Sequence, residues 1–149
     1  MQGEREPLLV GWREWGSLPV LGIQAIKVKV DTGALTSALH AIHVHRFTEN
    51  GRERVRFDVH PLQRRSDVTV RCEADLVGER LVRSSSGHHE ERPVIRTPIL
   101  IGGRQWIIDI TLTNRDSMGF RMLLGRRAMR RRIIVDPSHA FLCAQPQRQ

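Results

Sequence analysis

The chain has 149 residues, of which 40% are hydrophobic and 27% charged. This suits one globular domain with a real core and excludes a disordered chain. The formal net charge of +8 favours an anionic partner. Two cysteines without zinc-finger spacing indicate neither a disulfide framework nor a zinc finger. A polar N-terminus and the lack of a long apolar run predict a cytoplasmic protein with neither signal peptide nor membrane span.

Five segments in the first half of the chain have strand patterns. They are residues 8–10, 25–31, 41–47, 55–59 and 68–74. The second of these alternates strictly, with Ile26, Val28 and Val30 on one face. Asn50-Gly51 lies between two alternating segments and predicts a tight hairpin turn. The pattern therefore predicts a β-rich N-terminal half.

The second half continues with short apolar segments. The polar segment 84–91 has no periodicity and predicts a loop. Two strands joined at Gly102-Gly103 follow it. The remaining predicted elements are a buried segment at 122–124, a helix within 126–132 and a strand at 133–135. Many short strands with one short helix indicate an all-β barrel or sandwich at 8–142, with tails at 1–7 and 143–149.

The positive charge is concentrated in residues 113–132. This segment holds seven arginines and a single acidic residue, Asp116. The arginines are Arg115, Arg121, Arg126, Arg127, Arg130, Arg131 and Arg132. From the residues alone, a solvated surface is the default interpretation. Non-specific nucleic-acid binding is the second, although aromatic residues for base stacking are scarce.

The segment most informative about a functional site is Asp31-Thr32-Gly33, which directly follows an apolar strand. The strand delivers a carboxylate to a fixed position, the threonine hydroxyl can brace the loop, and glycine permits a tight turn. An ordinary Asx turn explains the tripeptide alone equally well. A second element, Leu123-Leu124-Gly125, stands far downstream.

Together these two elements resemble retropepsin-like aspartic proteases, which pair a hydrophobic-Asp-Thr-Gly-Ala loop with a later hydrophobic-hydrophobic-Gly segment. The whole chain is similar to the bacterial family known as ATP-dependent zinc proteases, which is associated with ATP-grasp glutamate ligases that modify ribosomal protein. The similar segments are residues 11–15, 31–34, 36–41, 92–95, 111–115 and 122–126.

The resemblance implies a closed barrel that acts as a homodimer without a cofactor, because the chain has one Asp-Thr-Gly and the chemistry needs two carboxylates. Asp31, Thr32 and Gly33 are then the catalytic residues. The expected substrate contacts are Ala34, Gly87, His88, Leu124, Gly125 and Arg126. Of these, Gly87 and His88 belong to the flap candidate, segment 84–91.

Some features depart from the family pattern. Retroviral enzymes carry acidic residues where Leu35 and Thr36 stand, so Arg126 lacks the expected ionic partner. The family name invokes zinc, yet there is no HExxH motif. His43 and His45 on one strand face are more simply ordinary strand histidines, and no metal is predicted. The cysteines, Cys72 and Cys143, are expected to be buried small side chains.

Three functions are therefore weighed. The favoured one is an aspartic peptidase that trims acidic, glutamate-modified peptide tails and has the ATP-grasp ligase as functional partner. The first alternative is a zinc-dependent peptidase with His and Asp ligands. The second is a non-enzymatic binding module, an adaptor for the ligase or for RNA.

Overall fold

In the computed structural model, residues 6–62, 68–83, 86–114 and 119–145 are described. This part of the chain is mostly β and contains eleven strands. They are β1 (Leu8–Gly11), β2 (Arg13–Leu18), β3 (Ile23–Val30), β4 (Ser37–His40), β5 (Ile42–Glu49), β6 (Arg52–Val59), β7 (Val70–Arg83), β8 (His89–Ile101), β9 (Arg104–Thr113), β10 (Met122–Leu124) and β11 (Ile133–Asp136). The predicted all-β class is confirmed.

Nine strands form one sheet in the order β2-β3-β10-β4-β9-β8-β7-β6-β5. An additional pairing of β2 with β8, at Ser17 and Leu100, joins the six strands β2, β3, β10, β4, β9 and β8 in a ring. The termini form a separate parallel pair, β1 with β11, in which Leu8 lies opposite Ile133. The ring strands supply most of the hydrophobic core, to which β6 and β7 also contribute, and the ring brings segments distant in sequence side by side.

Buried and exposed side chains alternate along β3 as the sequence predicts. Ile26, Val28 and Val30 are all buried, whereas Lys29 is exposed. Lys27 on the outer face lies over the Trp15 ring, 5.5 Å from its centroid. Because the apolar face of β3 is fixed in the core, the residue after Val30 has a defined position.

Both predicted tight turns are present. Asn50 and Gly51 have φ of 52° and 75° and join β5 to β6, and Gly102 and Gly103 have φ of 58° and 78° and join β8 to β9. The polar segment 84–91 is only partly a loop, which corrects the sequence prediction. β8 already begins at His89, because Arg83 pairs with His89 in a long antiparallel hairpin.

Helical structure in the described residues is limited to two single turns. One is a 3-10 turn at Pro19–Leu21, and the other is α1 at Arg126–Met129. The predicted helix within 126–132 is thus a single turn that ends before Arg130. Among the described residues no helix is long and apolar enough to cross a membrane.

A buried carboxylate ties the two ends of the chain together. Glu14 in β2 is fully buried. Its oxygens accept hydrogen bonds from the backbone N–H groups of Gly11 at 2.7 Å, Leu142 at 2.8 Å and Cys143 at 3.0 Å. These bonds satisfy three donors and compensate the buried charge. Glu14 lies in segment 11–15, which carries part of the family resemblance, but no sequence pattern predicts this role.

We expect Glu14→Gln to lower the free energy of unfolding by roughly 1.5–3 kcal/mol, because the amide presents a donor where only acceptors are needed. Urea unfolding of the purified variant measures the loss. Glu91→Gln, an exposed strand position, is the matched control and is expected to change stability by less than about 0.5 kcal/mol. Equal stability of both variants would contradict the role of Glu14.

Candidate functional site

Asp31 follows the last residue of β3 and is half-buried. Its backbone N–H donates to the Leu124 carbonyl at 2.9 Å. Its Oδ1 accepts the backbone N–H of Gly33 at 3.0 Å. The main chain of Asp31 is therefore held by a neighbouring strand and its carboxylate by its own loop, so the side chain has a preset orientation.

The short strand β10 brings the two predicted motifs together. It lies parallel to β3, with Leu123 opposite Lys29 and Leu124 opposite Val30. On its other side β10 runs antiparallel to β4, where Leu123 lies opposite Ala38. The segments separated by some ninety residues in sequence are thus adjacent strands, with the Asp31 loop at their common end.

Gly125 permits this arrangement through close packing. A Cβ atom at this position would lie 2.5 Å from the Thr36 carbonyl carbon and 2.6 Å from its oxygen. The Gly125 N–H donates to the buried Ser37 Oγ at 3.0 Å. The hydroxyl of Thr111 in turn donates to the Ser37 carbonyl at 3.0 Å. A side chain larger than hydrogen at Gly125 would push β10 away from the loop.

Arg126 has a structural partner in place of the missing acidic residue. Its Nη1 donates to the Thr32 carbonyl at 2.9 Å, and its backbone N–H donates to the Ala34 carbonyl at 2.8 Å. Arg126 therefore spans the Asp31 loop from the β10 side. The departure from the retroviral pattern is compensated by a bond to the loop backbone.

The structure separates the predicted site residues into exposed and supporting ones. Thr32 and Gly33 are exposed beside Asp31, and Ala34 is half-buried. Leu124 and Gly125 are buried, which agrees with a role in backing the loop. The side chain of Leu124 is buried in the single chain, and its contact with substrate stays a prediction.

Gly87 and His88 lie at the tip of the β7–β8 hairpin, where Gly87 has φ of 85° and both residues are exposed. The hairpin extends over the pairs from Gly78–Val94 to Arg83–His89. A long two-stranded hairpin with a glycine at its tip is a suitable flap geometry, and the role in covering substrate stays a prediction.

Two other carboxylates, those of Asp109 and Asp136, accept hydrogen bonds from partners outside the Asp31 loop. Asp109 accepts from Arg96 Nε at 2.8 Å and Nη2 at 3.2 Å. Asp136 accepts from the Ser138 hydroxyl at 2.6 Å, and this bond is the main cause that lowers the pKa of Asp136 to about 2. Neither carboxylate stands in a loop like that of Asp31.

The described residues contain no group of three or more His, Cys, Asp or Glu side chains that could hold a metal ion. His43 contacts the Asp58 carboxylate at 2.9 Å, and a β-bulge with φ of 54° at His43 interrupts the alternation that placed it on one face with His45.

Neither cysteine is in an environment that activates a thiol. Cys72 is buried, and desolvation raises its pKa to about 12. Burial also raises the pKa of the half-buried Cys143. A thiol nucleophile needs a lowered pKa, so neither environment activates the thiol. Cys72 is buried as predicted, whereas Cys143 is only half-buried.

The chain is similar to a known protein family and to curated proteins. A family model described as retropepsin-like aspartic endopeptidase RimB matches residues 9–146. Two curated proteins named probable alpha-L-glutamate ligase are similar. The one from Desulfotalea psychrophila is 49% identical over 136 residues, 91% of this chain and 29% of that protein. The one from Shewanella pealeana is 47% identical over 133 residues, 89% of this chain and 29% of that protein. The chain spans under a third of the length of these relatives.

Among solved structures, a Legionella pneumophila protein of unknown function has the same fold. It matches with a TM-score of 0.75 and 27% sequence identity, over 90% of this chain and 96% of that one. The architecture described above is therefore shared with an experimentally determined structure over nearly the whole length of both chains.

The close packing of Gly125 gives a direct test of how the loop is supported. We expect Gly125→Ala to lower the free energy of unfolding by roughly 1–3 kcal/mol or more, because the new methyl group collides with rigid backbone rather than with a side chain that can turn away. The measurement is the midpoint of urea unfolding. Gly78→Ala is the control, since a Cβ there meets nothing within 4 Å. Equal midpoints for the two variants would disprove the packing argument.

Proposed function

The chain belongs to the RimB-like family of retropepsin-like aspartic endopeptidases, and on this premise we propose that it hydrolyses peptide bonds as a homodimer. The observation that carries the proposal is the way in which hydrogen bonds hold Asp31. Its main chain is bonded to β10 and its carboxylate to Gly33, so that it is presented at a strand end in one orientation. Such preorganisation is what acid–base catalysis requires of a side chain.

The second catalytic carboxylate comes from Asp31 of a second copy. The chain has a single Asp-Thr-Gly, and the two other candidates, Asp109 and Asp136, are bonded to Arg96 and Ser138. A two-fold axis close to the Asp31 loop brings two identical carboxylates together. Thr32, exposed beside Asp31, is positioned to brace the two loops across that axis.

Two carboxylates close enough to hold one water between them also share one proton, because both cannot be ionised at once. The ionised one takes a proton from the water between them as the water oxygen attacks the carbonyl carbon. The protonated one gives its proton to the carbonyl oxygen. When the tetrahedral intermediate collapses, the C–N bond breaks and the leaving nitrogen receives a proton from the pair. The hairpin tip at Gly87 and His88 covers the substrate and keeps out bulk water.

The substrate we propose is an acidic peptide tail. The relatives that share this domain are named for glutamate ligation, and an enzyme that adds glutamates produces a strongly anionic peptide. The charge of this chain is +8, which attracts such a substrate over distance. A protease of this kind would trim what a partner ligase extends, with both acting in the cytoplasm.

Replacement of the nucleophile-activating group is the first test. We expect Asp31→Asn to abolish cleavage of a glutamate-tailed ribosomal protein, because an amide cannot take the proton from water. Mass spectrometry of the substrate gives the readout, with untailed protein as negative substrate. Asp75→Asn, an ion-paired position on β7, is expected to leave cleavage intact. Undiminished cleavage by the Asp31→Asn variant would refute an aspartic mechanism. Loss of wild-type cleavage after metal is removed with a chelator would refute it as well.

Mixed dimers test whether two copies form one site. Wild-type and Asp31→Asn chains are refolded together in equal amounts, so that random pairing leaves about one quarter of dimers with two Asp31 carboxylates. The specific activity per total chain is then expected to fall to about one quarter of the wild-type value. A fall to only about one half means that each chain acts alone, which the proposal does not allow.

A further inference from the structure

A cleft of about 510 Å³ lies between α1 with the residues after it and the sheet strands β7, β8 and β9. This volume is typical of ligand-binding clefts, roughly 300–1,000 Å³. Five arginines and two carboxylates line it. They are Arg80, Arg96, Arg127, Arg130 and Arg132, with Glu79 and Asp109. The cleft is therefore positively charged.

Each of the two carboxylates in the cleft already pairs with an arginine. Asp109 pairs with Arg96 through two hydrogen bonds of 2.8 and 3.2 Å. Glu79 pairs with Arg46, which does not line the cleft. In the part of the chain that the structure describes, the other four arginines have no carboxylate partner. The unmatched charge belongs to Arg80, Arg127, Arg130 and Arg132.

The cleft has a rigid wall on one side. The Trp106 indole N–H donates to the Ala128 carbonyl at 3.0 Å, which fastens α1 to β9. The Arg132 guanidinium lies 5.7 Å from the Trp106 ring centroid. Because Trp106 is buried and Arg132 lies over its ring, the cleft presents no open aromatic face on which a base can stack.

The cleft is joined to the Asp31 loop by main chain. Thr36, at the end of the Asp31 loop, and Ser37, the first residue of β4, form part of its wall. The Arg127 N–H donates to the Leu35 carbonyl at 3.1 Å. A peptide bound in the cleft therefore lies against the segment that supports the Asp31 loop from Gly125.

We propose that this cleft is an exosite for a carboxylate-rich peptide segment, separate from the residues that surround the scissile bond. Arg80 of β7 and Arg130, which follows α1, both line the cleft and are its anchors, and each guanidinium can take a carboxylate by paired N–H donation. This rests on the proposed function in one respect, that the substrate is an acidic peptide. The lack of a stacking surface favours peptide carboxylates over single-stranded nucleic acid.

The exosite also divides the arginine segment 126–132 into separate roles. Arg126 is bonded to the Thr32 carbonyl and supports the loop. Arg131 has φ of 63° and does not line the cleft. Specific recognition therefore depends on a subset of the arginines and not on the total charge of the segment.

Direct binding tests the proposal without any need for cleavage. The Asp31→Asn full-length chain is titrated with a fluorescent peptide of consecutive glutamates, and anisotropy gives the dissociation constant. We expect Arg80→Gln and Arg130→Gln each to weaken binding about tenfold, since each removes a charge-assisted bond. Arg131→Gln, with the same loss of charge in the same segment, is expected to weaken it less than about twofold.

Two further probes make every outcome decisive. A peptide of glutamines is expected not to bind, and an oligonucleotide of equal charge is expected to bind more weakly than the glutamate peptide and to be indifferent to Arg80→Gln. If Arg131→Gln weakens peptide binding as much as Arg130→Gln, or if the oligonucleotide is the tighter ligand, the exosite is disproved. Unchanged thermal unfolding of the variants shows that they fold. Since these experiments use a chain without its catalytic carboxylate, a failure of the aspartic mechanism leaves their result untouched.

Discussion

The close approach of Gly125 to the Thr36 backbone is the constraint on which the rest of the site depends. A Cβ atom at Gly125 would lie only 2.5 Å from the Thr36 carbonyl carbon, so the lack of a side chain there is what lets β10 fit between β3 and β4. From that position the Leu124 carbonyl accepts the Asp31 N–H, the Arg126 N–H donates to the Ala34 carbonyl, and the Arg126 guanidinium donates to the Thr32 carbonyl. One missing side chain thus allows two backbone bonds and a side-chain bond that together fix the Asp31 loop.

A second set of contacts holds the same loop from its N-terminal side. The Trp12 carbonyl accepts the Val30 N–H at 2.9 Å, directly before Asp31, and the Trp12 N–H donates to the His139 carbonyl at 2.8 Å. Glu14 binds the backbone on both sides of this contact, at Gly11 and Leu142. The C-terminal segment, which the sequence places outside any motif, therefore contributes to the position of the catalytic candidate, and its loss would loosen the end of β3.

Much of this architecture was predictable, and the reasons for the exceptions are physical. The alternation in β3 and the turns at Asn50-Gly51 and Gly102-Gly103 depend on local rules, and the structure agrees with them. The family was predictable too, because two motifs in the right order are specific in combination. The role of Glu14 was not, since its three partners come together only in the folded chain. Neither was the division of the arginine segment, because its single helical turn ends at Met129 and spacing along the sequence does not show which guanidinium beyond it faces the cleft. Predicted features at 84–85 and Arg115 lie outside the described residues.

In the proposed dimer each chain contributes one Asp31 carboxylate and keeps a basic cleft of its own, so the dimer would hold one shared carboxylate pair and two separate clefts. The proposed mechanism depends on the pairing of Asp31 with its own copy. The most direct measurement is the distance between the two Asp31 carboxylates in a crystal structure of the dimer. We predict facing oxygens about 3 Å apart, close enough to share a proton and one water. A symmetric dimer in which the two Asp31 loops are too far apart to share one water would contradict the account.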